Sequence, residues 1–404
     1  MISITSATRT GNGGRNLHID MLRGLSIVMV MLLHYSLTYR LHASPLKEWL
    51  SVPTLRTIFF NGNYGVSVFF VISGFLITSN ILRRYGSLTG VNITHFYKLR
   101  LFRLYPSVVL ALVIITVLGL VGLSNFANAN KQVDFGNGFF VIANLSVLTF
   151  WHNILMESVG YFNYAMNIYW SLSVEEVFYL LYPLVLVIAR RRWQIVLLAI
   201  AGIVVAPAYR WLHSDDELFF MCGNLACVDM LVYGCAAAIA ANLVTWTVPL
   251  RRVLATLAFV AMCWVYMQGI AGNEAFGATL MGIAAAIFLI AVSRLPAGVL
   301  VRRAGSPLAW FGSHSYELYL FHIVVLGIMG DLVPRAKMSP ENKLPMLALF
   351  FVLSAVFAWA VARFYGDPLN RRLRARFTLR TTSEREDEAA STSAPIIQSR
   401  ESGH

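Results

Sequence analysis

Ten apolar stretches follow one another along the chain with only short polar gaps between them. They fall near 22–41, 58–81, 101–123, 168–189, 194–212, 223–243, 250–270, 275–293, 314–333 and 345–365. An α-helix needs about 20 apolar residues to cross the hydrocarbon of a bilayer. In lipid, only segments that satisfy their own backbone hydrogen bonds can span. The pattern therefore dictates an all-α, polytopic membrane helix bundle of about ten transmembrane helices. A soluble fold is excluded by composition, because charged residues make up 13% of the chain against about 25% in soluble domains.

An eleventh apolar run, from Phe139 to Trp151, is marginally long, and the loop charges decide its status. Arg83, Arg84, Lys98, Arg100 and Arg103 lie between the second and third spans. Further basic clusters are Arg190–Arg192, Arg251/Arg252, Arg294/Arg302/Arg303 and Arg371/Arg372/Arg374/Arg376. If 139–151 does not span, all of these fall on one side and the acidic loop Asp215–Glu217 on the other. The positive-inside rule then gives ten spans with both termini cytoplasmic. Arg335, Lys337 and Lys343 dissent by landing outside.

The same rule accounts for the net charge of +12, and no motif supports a nucleic-acid partner. Residues 1–20 read as a cytoplasmic N-terminal segment leading into an uncleaved first helix, 21–376 as the membrane domain. Residues 377–404 are rich in Ser, Thr and Glu and read as a disordered cytoplasmic tail. The four cysteines form no CxxC and read as packed or lipid-facing thiols. No metal-ligand spacing is present, so no metal is expected.

An ionisable group inside a bilayer is costly unless partnered, so each one needs a reason. Arg23 stands at the mouth of the first helix. His34 lies eleven residues further on, about three turns and about 16 Å deeper on the same face. Histidine is the natural general base near neutral pH. In the fourth span, Glu175 and Glu176 are adjacent and point about 100° apart, so one partner does not easily serve both. Glu175 and Tyr179 are four apart and share a face. Counting residues from the outer helix ends brings His34 and Glu175 to similar depths, about 10 Å in. A carboxylate beside the imidazole would orient it, as in other base–orienter pairs.

Arg100 and Arg103 are three apart on one face, where the third helix leaves the cytoplasm. Their forked guanidinium groups suit the phosphates of a cytoplasmic donor, and equally suit anionic lipids and the positive-inside rule. Ser73-Gly74 in the second helix reads as a close-packing pair whose hydroxyl could face a tunnel. Glu317 and His322 lie in the ninth span, at a spacing that does not align them. His152, His213 and His314 fall near membrane ends and read as interfacial.

In order, IDMLRGLSIVMVMLLH, FFVISGFLIT, FYKLRLFRLYP, WSLSVEEVFYLLYP and SYELYLFH resemble the hallmark segments of the acyltransferase 3 family of integral membrane O-acyltransferases. The resemblance runs from about Asp20 to about Arg372. It implies ten core helices and transfer of an acyl group, commonly acetyl from cytoplasmic acetyl-CoA, to a hydroxyl of a sugar, glycolipid or surface polysaccharide. The family's Arg-x10-His motif falls on Arg23 and His34, its Arg-x-x-Arg on Arg100 and Arg103, its helix carboxylate on Glu175 and its late histidine on His322. Glu317 departs from the small residue usual there.

The reading is thus a multi-pass enzyme of the inner (plasma) membrane. Its catalytic residues are His34 and Glu175, and Arg23, Arg100 and Arg103 bind the donor. Ser73, Tyr179 and His322 lie in the site. Its partners are acyl-CoA, a carbohydrate or glycolipid acceptor and membrane lipids. The competing reading is a transporter or flippase for a lipid-linked sugar, with the buried His and Glu as a proton relay.

Overall fold

The computed structural model describes residues 16–130, 132–189 and 191–376. The tail expected over 377–404, Arg190, and Arg9 and Arg15 of the N-terminal segment lie outside the described residues. The helices are α1 (Leu17–Tyr39), α2 (Val52–Phe60), α3 (Asn63–Tyr85), α4 (Ile93–Leu120), α5 (Phe139–Leu148), α6 (His152–Val159), α7 (Trp170–Ile188) and α8 (Arg192–Leu212). They continue as α9 (Glu217–Cys222), α10 (Asn224–Leu243), α11 (Val248–Gln268), α12 (Gly277–Val292), α13 (Val299–Ser313), α14 (Ser315–Leu332) and α15 (Lys343–Val361), the last running on to Arg376 through a π-helical turn at Ala362–Gly366. No named strand occurs among the described residues, and the fold is a polytopic helical bundle.

Nine helical segments among the described residues are long and apolar enough to cross a membrane. The expected tenth, at 275–293, is the 16-residue α12, which is apolar but short. Helix direction decides whether α12 counts as a crossing. On α1 and α14, His34 faces His322, and five residues on, the Tyr39 hydroxyl donates to the Val333 carbonyl. The two helices therefore run the same way, which requires an odd number of crossings between them. That number is odd only if α12 crosses. The run at 139–151 is settled likewise. Ser73 and Thr78 of α3 meet Glu175 and Tyr182 of α7 in the same order, so these helices are parallel. With α4 already crossing between them, the ten-residue α5 adds no further crossing.

Two features depart from the sequence expectation. The second span is broken at Asn61-Gly62 into α2 and α3. The expectation also had no element at α13, whose Arg302, Arg303 and Ser306 are exposed while Gly305 is buried against α1. One face apolar and one polar is the signature of a helix at an interface.

Close contacts between helices rest on glycine. A Cβ on Gly24 of α1 would collide with the Leu308 carbonyl of α13, and one on Gly312 of α13 with the Asp20 carbonyl of α1. The α3–α10 crossing repeats this reciprocity, with Gly74 against the Leu231 carbonyl and Gly234 against the Val71 carbonyl. Small residues let backbones approach closely where lipid supplies no hydrophobic force between helices.

Cations serve helix ends. Arg251 Nη1 donates to the carbonyls of Ile290 (2.9 Å) and Ala291 (3.2 Å) at the end of α12. Asn16 Nδ2 donates to the Val292 carbonyl while its Oδ1 caps the start of α1. The dissenting cation Lys343 is used the same way. Its Nζ donates to the carbonyls of Arg40 (3.2 Å) and Ala43 (3.4 Å), beyond the end of α1. That site holds a cation for orphan carbonyls, independently of the side of the membrane. Cys222, Cys227 and Cys235 are buried, and Cys263 is exposed on the outside of the bundle.

Gly234→Val should force α3 and α10 apart and cost about 1–3 kcal/mol, the usual size for overpacking. Thermal unfolding in detergent would register this as a lowered midpoint. Gly298→Ala, where a Cβ meets open space, should leave the midpoint in place.

Candidate active site

A cavity of about 410 Å³ opens between α3, α4, α7 and α14. Arg23 of α1 and Arg374 of the last helix complete its wall. It follows α3 from Val66 to Arg84, a rise of about 27 Å at 1.5 Å per residue. Six of the eight residues singled out from sequence line it: Arg23, Ser73, Arg100, Arg103, Glu175 and Tyr179. His34 and His322 are not among the lining residues.

The polar centre of the cavity is built from three helices. Ser73 of α3 donates to Glu175 Oε1 at 2.5 Å, and the Tyr179 hydroxyl also bonds Glu175 Oε1. The shared face of Glu175 and Tyr179 is as the four-residue spacing predicts. Arg100 of α4 lies over the Tyr179 ring, its Cζ 3.0 Å from the centroid. Its Nη2 is 3.4 Å from both Glu175 Oε1 and Glu176 Oε1. One partner does therefore serve both carboxylates. Their backbones diverge, but three side-chain torsions each let them converge on one guanidinium. The two differ in access, since the Glu175 side chain is 30% exposed and that of Glu176 is 7%. Glu175 is the carboxylate that faces the cavity.

Arg100 does not sit apart from the carboxylates at a membrane face, as the apolar boundary at residue 101 suggested. The helix begins at Ile93, so Arg100 is already two turns inside it. Gly74, beside Ser73, fulfils the packing role against α10, while Ser73 turns its hydroxyl to the cavity. Arg23 forms a 3.9 Å ion pair with Asp20.

The second polar group is a histidine pair. His322 Nε2 lies 3.1 Å from His34 Nδ1, and His322 Nδ1 is 2.8 Å from the Leu318 carbonyl. A carbonyl oxygen only accepts, so His322 Nδ1 carries a proton. With one proton per ring, His322 Nε2 is an acceptor and His34 Nδ1 donates to it. The remaining nitrogen of His34, Nε2, then holds a lone pair. The expected orienter of His34 was Glu175, and its ring partner here is instead His322. The equal-depth count does not hold either: Gly62, at the start of α3, meets Met29 and Leu33, next to His34, whereas Glu175 bonds Ser73, eleven residues further along α3, and it is α14 that packs on α1 beside His34.

Around this pair, the Thr38 hydroxyl donates to the His34 carbonyl at 3.0 Å and meets the Tyr164 hydroxyl at 2.6 Å. Burial pushes the Tyr164 phenol above its ordinary pKa, so it stays a hydrogen-bond donor. Tyr319 joins the two polar groups. It lines the cavity, its hydroxyl meets Ser171 Oγ at 2.6 Å, and its ring centroid is 6.1 Å from that of His322.

Other sequence expectations resolve differently. His152, expected near a membrane end, has its side chain fully buried within the protein, with Nδ1 2.7 Å from Ser146 Oγ and its backbone N–H on Ser173 Oγ. Glu317 points to the π-helical turn of the last helix, close to Gly366. Arg210 and Asp229 form a buried bidentate pair at 2.8 and 3.1 Å, braced by Thr279. Both lie inside expected spans, so the rule that an intramembrane charge needs a reason would have found them. Among the described residues no group of three His, Cys, Asp or Glu could hold a metal ion.

The sequence was compared with known proteins. It is 24% identical over 386 residues to O-acetyltransferase OatA of Staphylococcus aureus (strain NCTC 8325 / PS 47), covering 88% of this chain and 57% of the relative. It is 27% identical over 287 residues to the putative peptidoglycan O-acetyltransferase YrhL of Bacillus subtilis (strain 168), covering 66% and 44%. It is 25% identical over 361 residues to peptidoglycan O-acetyltransferase OatA of Listeria monocytogenes serovar 1/2a, covering 83% and 53%. The chain spans about half the length of the curated relatives it matches. No solved structure matches it. The model of the family described as the acyltransferase domain, acyltransferase 3, matches residues 16–363. That match takes in the histidine pair and the cavity wall apart from Arg374, and the chain belongs to this family of acyltransferases.

Proposed function

We propose that this protein is an O-acetyltransferase of the cell's inner (plasma) membrane, with acetyl-CoA or another acyl-CoA as donor and a hydroxyl of an envelope carbohydrate as acceptor. The observation that carries the reading is the His34–His322 pair, because its hydrogen bonds leave His34 Nε2 as a base. The relatives, named for O-acetylation and in two cases for peptidoglycan, support the carbohydrate class. Both chain termini and the arginine-rich mouth of the cavity face the cytoplasm in this reading, in line with the positive-inside rule.

The donor enters at that mouth, passes Glu175, Tyr179 and Ser73, and carries its thioester on toward Tyr319 and His34. His34 Nε2 takes the proton of the acceptor hydroxyl as its oxygen attacks the thioester carbon. The C–S bond breaks, and the thiolate leaves and is protonated. His322 is a positioning residue that holds the tautomer of His34, the part a carboxylate plays in a Ser-His-Asp triad. Glu175 fixes Arg100 and Tyr179 at the cavity wall. Arg23 stands on the wall toward α1 as a further donor-binding group.

Purified protein in proteoliposomes, given radiolabelled acetyl-CoA and carbohydrate acceptors, should release CoA in step with labelled acceptor. His34→Ala should lower the rate about 10³-fold, and His322→Leu roughly 10²-fold, as for loss of a general base and of its orienter. Unchanged release in His34→Ala would sink the mechanism, and acceptor movement without acyl transfer would mean a transporter. Arg100→Gln leaves two carboxylates without their counter-charge. It should cost about 2–3 kcal/mol, less than a fully enclosed pair because the cavity admits water. Adding Glu176→Gln should recover part of that loss in thermal unfolding.

A further inference from the structure

The positive-inside rule leaves one group of cations without a reason. Arg40, Lys47 and Arg56 lie between α1 and α3, on the same side as Arg335, Lys337 and Lys343, and in the proposed topology that side is the outer one. α3 alone is 23 residues long, about 35 Å, and crosses unaided, so Arg56 of α2 stays at the interface. The two segments, 40–62 and 333–343, carry six Lys and Arg against Glu48 and Glu341. Asp331, just before the second segment, is taken up by Ser124 and Asn125.

The fold gathers four of these cations around His42. Burial lowers the pKa of its ring, and Arg56, Lys343 and Arg40 lower it further. Arg40 and Lys47 in turn act electrostatically on Lys343, and Lys47 acts on Glu341. Among the described residues, Arg40, Lys47 and Arg56 are exposed and have no side-chain hydrogen bond or ion pair. Lys343 Nζ gives two of its three protons to the carbonyls of Arg40 and Ala43, which leaves one. His42 Nδ1 and the buried Ser44 Oγ are likewise unpartnered among the described residues. Buried polar atoms are normally paired, and like charges this close are unfavourable until an anion bridges them.

Arg40 itself is held at φ 50°, a left-handed conformation in which glycine is the usual residue at a helix end. The backbone favours glycine there, and no contact among the described residues uses the guanidinium. A side chain kept against such a preference points to a use outside the fold.

Position identifies the partner. Arg40 lies six residues past His34, about 9 Å further out along α1. His42 meets the ring of Phe60, two residues before the Gly62 that packs on Leu33. The cations thus stand over the end of the helix that carries the base, where the acceptor arrives. Trp49, two residues after Lys47, is 85% exposed, and an open indole face suits the C–H face of a sugar ring.

We propose that Arg40, Arg56, Lys343 and His42 form an acceptor-docking site that takes a carboxylate or phosphate of the carbohydrate chain, so that the enzyme acts on anionic envelope polysaccharide in preference to neutral glycan. This rests on the acyltransferase reading and on its placement of the acceptor outside.

The test uses envelope polysaccharide from cells lacking the protein, divided by anion exchange into charged and neutral fractions. Wild type in proteoliposomes with radiolabelled acetyl-CoA should label the charged fraction. R40G/R56Q should raise the KM for that fraction roughly 10-fold and leave the KM for acetyl-CoA in place, because two partly screened charge contacts are lost. Added salt should bring wild type toward the variant. A KM does not depend on how much protein is folded, and glycine at position 40 suits the backbone. Label entering the neutral fraction as readily as the charged one, or an unchanged KM in the double variant, overturns the docking site and leaves the acyltransferase reading intact. No label in either fraction overturns both. Phosphatidylcholine and phosphatidylglycerol vesicles separate a lipid source. If the double substitution acts only in phosphatidylglycerol and equally on both fractions, the arginines hold lipid phosphate and the docking site falls.

Discussion

The structure depends on how one guanidinium is met inside a membrane. Arg100 lies between Glu175 and Glu176, over the Tyr179 ring, with Ser73 completing the group. Lipid solvates none of these and the cavity reaches them only in part, so each is stabilised by finding the others. Doing so draws α3, α4 and α7 together at one level and leaves a cavity along α3. The reciprocal glycine crossings act alongside it by fixing α3 on α10 and α1 on α13. The histidine pair then falls where α1 meets α14, with Tyr319 touching both it and the cavity.

Much of this was legible in the sequence because a bilayer leaves few options. Run length gives the spans, and loop charge rightly excluded the 139–151 run as a crossing. The tenth crossing was legible as an apolar stretch, although α12 proved shorter than the stretch suggested. The spacing of Glu175 and Tyr179 gave their shared face. The five hallmark segments brought Arg23, Ser73, Arg100, Arg103, Glu175 and Tyr179 to one cavity wall.

What sequence did not carry was azimuth. His34 and Glu175 come out level in a one-dimensional count, yet Glu175 meets Ser73, eleven residues along α3 from the Gly62 that packs beside His34, because helix register and tilt shift with packing. Which helices touch is set by glycines such as Gly24 and Gly74, whose partners Leu308 and Leu231 lie far along the chain. For the same reason Arg84 and Arg374 read as separate loop charges until the last helix is laid beside α3. Helix boundaries misled as well, since α4 begins well before its apolar run and carries Arg100 inward. Amphipathic α13 escaped because a scan for apolar spans passes over a helix with one polar face.

The short α12 has a consequence for the surrounding lipid. Sixteen residues rise about 24 Å, some 6 Å less than the usual hydrocarbon thickness. Its Leu280, Ile283 and Ile287 are exposed on the outside of the bundle, so the bilayer and not a neighbouring helix has to absorb the difference. Mismatch costs fractions of a kcal/mol per Å and is relieved when lipid thins or the helix tilts. The bundle thus carries a thin flank next to α10, the helix on which the cavity-bearing α3 is locked. The thickness of the host membrane, set by its acyl chains, is thereby coupled mechanically to the helix that lines the cavity.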